Sequence, residues 1–76
     1  FAQDENPDLY EALRKKRMEL ARKQRVPAFM IFSDRSLHDM AKIKPQNEAE
    51  FLEVSGVGQA KMQKYGATMI QVIKSF

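Results

Sequence analysis

The sequence contains no cysteine and no tryptophan, and it has one histidine, His38, among its 76 residues. Without cysteine the chain has neither a disulfide framework nor a thiolate metal site, and one histidine leaves only carboxylates as further metal ligands. The phosphate-binding pattern GxxxxGK[ST] is missing, and no base or nucleophile is placed to use His38. We therefore expect a non-catalytic chain with no cofactor and no metal.

Long apolar runs are absent as well. No run approaches the length of a membrane span, and no signal peptide is visible. A chain of this length supports at most one hydrophobic core. The expectation is a soluble cytoplasmic domain, monomeric and without membrane contact. Residues 1–6 lack periodicity and are expected to be a linker or disordered end, whereas residues 7–76 are expected to form one helical domain.

The net charge of +3 is unevenly distributed along the chain. Residues 9–26 hold seven cations against two acids, and residues 55–76 hold three lysines and no acid. Residues 46–54 are acidic. Two basic regions suit a polyanionic partner such as nucleic acid. Ordinary solvated helix faces are also rich in lysine, so the charge pattern alone leaves both interpretations open.

Apolar residues at helical spacing predict a compact all-α bundle of about five helices. The side chain of Asn6 is expected to cap the first helix, with Pro7 at its first position, and this helix must end before Pro27. Arg17 falls on its apolar side, where it could snorkel or pair with a carboxylate from elsewhere. The expected inward positions of the first helix are Leu9, Tyr10, Leu13, Leu20 and Ala21.

Residues 26–32 form a nearly unbroken apolar run. Because nothing else in the chain resembles a strand, a short buried helical turn is predicted here. Such a short element cannot bury every residue, so Phe29 or Met30 is expected to be exposed. An exposed Phe29 beside Lys23 and Arg25 would be a stacking platform for an unpaired base, whereas the alternative is a phenylalanine of the core.

Three further helices are predicted. Ser33 and Asp34 cap the third, which Pro45 ends, and His38 is expected to be solvated beside its apolar stripe. Asn47 and Glu50 form a capping pattern for a short acidic fourth helix. The last helix covers residues 59–76. The expected inward residues are Leu37, Met40 and Ala41, then Phe51, Leu52 and Val54, and finally Met62, Tyr65, Met69, Ile70, Ile73 and Phe76.

The stretch FLEVSGVGQAKMQKYG, residues 51–66, interrupts two helical patterns with a G-V-G turn. Gly56 and Gly58 permit a sharp backbone turn, and the amides that open the next helix attract phosphate. Lys61 and Lys64 lie on one side of that helix. This arrangement resembles the helix-hairpin-helix element that grips a nucleic-acid backbone. A tight helix–helix corner that needs glycine only for steric reasons remains the alternative.

With these segments in place, residues 9–76 resemble the HRDC domain, the module shared by the C-terminal ends of RecQ-type DNA helicases and ribonuclease D. The order and spacing of the motifs carry the resemblance, which is strongest to bacterial RecQ members. The residues concerned are Leu13, Arg14, Arg17 and Ala21, then Val26, Pro27 and 31–34, then Leu37, Met40 and Ala41, and finally Phe51, Leu52, 56–58, Lys61, Tyr65 and Gly66.

The resemblance implies a five-helix accessory domain of an ATP-dependent DNA helicase, active in DNA repair and recombination. The family's loop aromatic falls on Phe29 and its G-V-G turn on Gly56 and Gly58, with Lys61 just beyond. Two departures are Ala28, where the family commonly has a second proline, and Phe29 itself, where tyrosine is usual. Stacking survives the second departure, but the hydroxyl contact does not.

The leading hypothesis is weak, sequence-independent binding of single-stranded or branched DNA. The rival is a protein-interaction module that docks on the helicase core or a repair protein, and a third possibility is RNA binding in a ribonuclease D. The sequence leaves open whether the basic surfaces of the first and last helices converge. The predicted DNA-binding residues are Arg22, Lys23, Arg25, Phe29, Gly56, Gly58, Lys61 and Lys64.

Overall fold

The computed structural model describes residues 6–76, which form helices and connecting turns without a strand. The expectation of a linker falls mainly on residues 1–5, which lie outside the described part. The helical segments are α1 (Pro7–Gln24), a 3₁₀ turn (Ala28–Met30), α2 (Asp34–Ile43), α3 (Glu48–Phe51) and a C-terminal helix, α4. Three consecutive segments make up α4: Gln59–Lys61, a π-helical stretch Met62–Gly66, and Ala67–Lys74. The prediction of an all-α bundle is confirmed.

Helix α1 begins and ends where the sequence predicts. Asn6 stands at its start, but the side chain does not cap the helix and instead donates a hydrogen bond to the carbonyl of Ala41, 2.7 Å away. The expected capping role of Asn6 is therefore wrong, and its amide ties α1 to the end of α2. Arg17 is buried and pairs with Asp34, which confirms one of the two roles expected for it.

The core lies between α1, α2 and α4, and it is centred on three aromatic rings. Phe32 makes edge contacts with Phe51 and Tyr65, with ring centroids 6.0 and 5.7 Å apart. Edge-to-face contacts of this kind add to the stabilisation that apolar burial supplies. The other buried apolar residues include Leu9, Leu13, Ala21, Ile31, Leu37, Met40, Ala41, Val54, Met62, Met69, Ile70 and Ile73.

Two expectations about the burial of side chains near the helix faces are wrong, for Phe76 and for His38. Phe76 is 57% exposed, because the helix ends at Lys74 and no longer directs this side chain toward the core. His38 is half-buried and not freely solvated, since its ring stacks on Tyr10 with centroids 4.2 Å apart. This stack links α1 to α2.

The predicted caps of α2 and α3 are confirmed. The Ser33 hydroxyl accepts from the backbone amide of Ser36 at 3.2 Å, and the Asn47 side chain accepts from the amide of Glu50 at 2.9 Å. The Glu50 carboxylate in turn accepts from the amide of Gln46. Among residues 6–76, no helix is long and apolar enough to cross a membrane.

Candidate nucleic-acid interface

The C-terminal end of α1 presents three exposed cations, Arg22, Lys23 and Arg25. Arg25 adopts the left-handed conformation, with φ of 57°, and its amide caps the helix by donating to the carbonyls of Ala21 and Arg22. Glycine is the usual residue at such a position, because a side chain there costs conformational energy. Arginine at this point places a positive charge at the helix end in spite of that cost.

The 3₁₀ turn follows three residues later and exposes both of its large side chains. Phe29 is 68% exposed and Met30 is 56% exposed. Ala28 is half-buried, and the residues after the turn, Ile31 and Phe32, enter the core. The expected buried turn is therefore wrong for the turn itself, and the alternative of a core phenylalanine is wrong for Phe29. Three consecutive helical positions turn through a full circle, so Ala28 faces inward while Phe29 and Met30 face outward.

The start of α4 supplies two further cations, each placed against an aromatic ring. The Lys61 ammonium lies 5.7 Å from the centroid of Phe32, and the Lys64 ammonium lies 5.5 Å from the centroid of Tyr65. Contacts of a cation with a ring face are weakly attractive when exposed. They restrict the two lysines to the side of the domain where Phe32 and Tyr65 meet.

The two basic regions converge in space. The Tyr65 hydroxyl donates a hydrogen bond to Oε1 of Gln24, with the two oxygens 2.9 Å apart. Gln24 lies between Lys23 and Arg25 in the chain, and Tyr65 directly follows Lys64. The cations of α1 and of α4 therefore lie at one end of the bundle, together with the 3₁₀ turn that connects α1 to Phe32.

These cations lack carboxylate partners within the described residues. No ion pair there involves Arg22, Lys23, Arg25, Lys61 or Lys64. The ion pairs of α1 lie farther toward its beginning, where Glu11 pairs with Arg14 and Glu19 with Lys16. The hydrogen bond from Arg14 lowers the pKa of the Glu11 carboxyl.

The two glycines of the G-V-G turn have different roles. Gly56 has φ of +79°, and a Cβ there would lie 2.9 Å from the hydroxyl oxygen of Ser36. That hydroxyl donates to the carbonyl of Ser55 at 2.6 Å, so the corner packs directly on the first turn of α2. Gly58 has an extended conformation, and a Cβ added there would have no atom within 4 Å. Sterics thus explain Gly56, whereas Gly58 leaves an open approach to the backbone.

Sequence reasoning missed two residues at this end of the bundle. Gln24 and Tyr65 join the basic regions through a hydrogen bond between residues far apart in sequence. No local pattern indicates such a contact.

Comparison with known proteins identifies the family. A family model of the HRDC domain matches residues 6–73. A solved structure, the D. radiodurans RecQ HRDC domain 3, superposes with a TM-score of 0.89 at 35% identity, and the match covers 93% of each chain. The chain therefore belongs to the HRDC domain family.

Curated relatives contain this domain as a small part of a longer protein. The ATP-dependent DNA helicase RecQ of Bacillus subtilis is 43% identical over 72 residues, which cover 95% of this chain and 12% of the relative. The ATP-dependent DNA helicase UvrD2 of Mycobacterium tuberculosis is 30% identical over 73 residues, covering 96% of this chain and 10% of the relative. The chain thus spans about one eighth of the RecQ relative's length.

Proposed function

We propose that the chain is the accessory DNA-binding domain of a bacterial RecQ-type, ATP-dependent DNA helicase in the cytoplasm. It holds single-stranded or branched DNA weakly and independently of base sequence, so that the helicase engages its substrate. Membership of the HRDC family and the similarity to RecQ helicases support the parent protein. ATP hydrolysis and strand separation belong to other parts of that parent, and the domain itself carries no chemistry.

The observation that carries the proposal is the convergence of unpaired cations from α1 and α4 beside an exposed phenylalanine. Cations already paired with carboxylates within the domain have little attraction left for phosphate, whereas unpaired ones release counterions from the nucleic acid when they bind it. The proposed phosphate contacts are Arg22, Lys23, Arg25, Lys61 and Lys64.

Phe29 is the reason why the domain is proposed to prefer single strands. An exposed ring stacks on an unpaired base, which contributes on the order of 1–3 kcal/mol and tolerates any base. In a duplex the base faces are already stacked on one another, so the ring finds no free partner. Single strands and the unpaired parts of branched DNA therefore bind more tightly than duplex.

The G-V-G turn supplies backbone amides. Gly58 is exposed, and the space where a side chain would stand is open, so a phosphate oxygen can approach its amide closely. Gly56 contributes by holding the turn against Ser36, and its own amide lies in the same turn. Neutral amide contacts of this kind position a backbone but do not read bases.

Docking on the parent helicase core or a repair protein is the second candidate function, because Phe29 and Met30 are adjacent and both exposed. An apolar contact between proteins persists or strengthens as salt rises, whereas a phosphate contact weakens. Salt dependence therefore separates the two functions. Binding of RNA in place of DNA is tested with a single-stranded RNA oligonucleotide.

The experiment is fluorescence anisotropy of the chain with labelled single-stranded DNA, duplex DNA and single-stranded RNA over a salt series. If two or three of the five cations neutralise a phosphate at the same time, the slope of log K against log salt is roughly −1.4 to −2.1 on a single strand. Tighter binding of single-stranded DNA with a slope in this range supports the proposal. Absence of saturable binding at low salt rejects it and leaves docking on a protein, whereas tighter binding of RNA redirects it to RNA.

A further inference from the structure

Gln24 is a neutral side chain that the structure holds between the two basic regions. Its Oε1 atom accepts the hydrogen bond of the Tyr65 hydroxyl, and Tyr65 is only 5% exposed. The acceptor end of the amide is therefore occupied, since a phenol donates to the carbonyl oxygen and the amide nitrogen has two hydrogens to donate. Gln24 itself is exposed.

We infer that Gln24 is a further DNA-contacting residue, which donates a hydrogen bond from Nε2 to a phosphate oxygen, and that Tyr65 is the residue that positions it. The inference deepens the proposed function and rests on it. Lys64 also contacts Tyr65, with its ammonium 5.5 Å from the centroid of the ring. A cation and an oriented neutral donor thus both adjoin Tyr65.

The geometry of Tyr65 explains why the donor is oriented. The ring packs edge-on against Phe32 in the core, with centroids 5.7 Å apart, so the position of its hydroxyl is fixed by buried groups. Tyr65 also lies within the π-helical stretch of α4, and π-helical insertions occur frequently at functional sites. An exposed glutamine on a helix surface normally samples many rotamers. Here one end of the amide is anchored to the core, which reduces the entropy lost on binding.

A neutral donor leaves a signature that separates it from a lysine. Removing it weakens binding by the same factor at every salt concentration, because no counterion release is lost. Removing a lysine that contacts a phosphate makes the salt slope shallower by roughly 0.7 on a single strand. The two kinds of contact are therefore distinguishable in one titration series.

The test measures single-strand binding of Gln24→Ala, Tyr65→Phe, the double variant and Lys64→Ala over a salt series, with the thermal unfolding midpoint of each. We expect Gln24→Ala to weaken binding about fivefold with an unchanged slope, which is the net contribution of one typical hydrogen bond. Tyr65→Phe keeps the ring packing and is expected to weaken binding about twofold, because the amide is then free to rotate. The double variant should bind like Gln24→Ala alone, since Tyr65 acts only through Gln24.

Three results would overturn the inference. They are unchanged binding of Gln24→Ala, a change in its salt slope as large as that of Lys64→Ala, and losses that multiply in the double variant. Each variant is compared with a wild-type chain that binds DNA. If the wild type does not bind DNA, the proposed function is wrong. If the wild type binds and one of the three results is found, the proposed contact of Gln24 alone is wrong.

Discussion

The middle of α1 and its C-terminal end are both rich in cations, but they use them differently. In the middle, Arg14 and Lys16 pair with glutamates one turn away, and Arg17 reaches Asp34 at the start of α2. At the C-terminal end, Arg22, Lys23 and Arg25 have no ion pair within residues 6–76. The net charge of a helix therefore says less about its partners than the share of that charge left unpaired. We expect changes of the paired cations to alter folding and changes at the C-terminal end to alter binding.

Arg17→Ala should have the largest effect, and it should fall on stability. Arg17 is only 8% exposed, and its Nη1 donates to the carbonyl of Phe32 at 3.0 Å and to Asp34 at 2.8 Å. Truncation leaves the Phe32 carbonyl without this donor and removes the packing of the side chain. The free energy of unfolding should fall by about 3 kcal/mol, which urea denaturation measures.

Two controls accompany that variant. Arg17→Met keeps most of the packing and should lose less stability, whereas Lys15→Ala, exposed on the same helix, should change it by less than about 0.5 kcal/mol. DNA affinity at a temperature where the chain remains folded should change little with either. An Arg17→Ala chain as stable as the Lys15→Ala chain would contradict the structural role of the buried ion pair.

Gly56→Ala should have the next largest effect on stability. The distinction between residues that serve folding and residues that serve binding also applies to the two glycines of the turn. At φ of +79° an alanine costs about 1–2 kcal/mol, and its Cβ would displace the Ser36 hydroxyl from the Ser55 carbonyl. Gly58→Ala is the matched control, since its φ of −106° and open surroundings accept a Cβ. Urea denaturation should show a clear loss for Gly56→Ala alone. Gly58→Ala should leave stability intact and weaken DNA binding, and equal destabilisation of both would be inconsistent with this division.

Phe29→Ala should weaken single-strand binding by about tenfold, which corresponds to about 1.4 kcal/mol of stacking, and should leave duplex binding nearly unchanged. The ring is 68% exposed, so stability should change little. Anisotropy on both DNA forms measures the difference. Phe29→Tyr should retain binding because the ring is kept, and Met30→Ala should lose less because no aromatic face is removed. An equal loss on single strand and duplex would remove the stacking role.

Arg25→Gly should move stability and binding in opposite directions. Glycine relieves the left-handed conformation at φ of 57°, so stability should rise by about 0.5–1 kcal/mol. The lost cation should weaken single-strand binding and make the salt slope shallower by roughly 0.7. Lys44→Gly is the control, since Lys44 has φ of 51° at the end of α2. It should gain the same stability without losing affinity, and a parallel loss of affinity in both variants would argue against a localised site.

The sequence predicts those features of the fold that local chemistry decides. The end of α1 before Pro27 and the caps at Ser33 and Asn47 depend on neighbouring residues, and all three are present. Periodicity puts Arg17 on an apolar stripe, where a charge needs a partner, and the structure supplies Asp34. Periodicity and capping carry enough information for the helix ends because the interacting groups are close in the chain.

Features that depend on residues far apart in the chain cannot be predicted from the sequence in the same way. The Asn6 side chain bonds to Ala41, and the His38 ring stacks on Tyr10, both between different helices. The contact of Gln24 with Tyr65, which brings the basic regions together, spans 41 positions. Residue identities proposed for the DNA site thus come from charge and family resemblance, whereas their spatial arrangement needs the fold. Their roles in binding remain predictions.

Glu11→Gln should have the smallest effect, and it tests whether freeing Arg14, away from the C-terminal end of α1, is sufficient to strengthen DNA binding. The Arg14 hydrogen bond, with Nε 3.0 Å from the carboxylate, lowers the pKa of Glu11 below its ordinary 4.5. A lowered folded-state pKa means that the pair stabilises the chain above pH 4.5 and that this contribution is lost as the pH falls through the lowered pKa. Both groups are solvent-exposed, so the contribution is small.

The difference in urea midpoint between wild type and Glu11→Gln should therefore be present near neutral pH and disappear in acid, and a difference independent of pH would contradict the ion pair. The same variant frees Arg14 from its ion pair at neutral pH. If every unpaired cation of α1 attracted DNA equally, the affinity of Glu11→Gln for DNA should rise as it does when one phosphate contact is added. Because Arg14 lies away from Phe29 and the lysines of α4, we expect a change of less than about twofold, which net charge alone explains. A larger gain, with a steeper salt slope, would mean that charge on the whole of α1, and not its unpaired end, selects the partner.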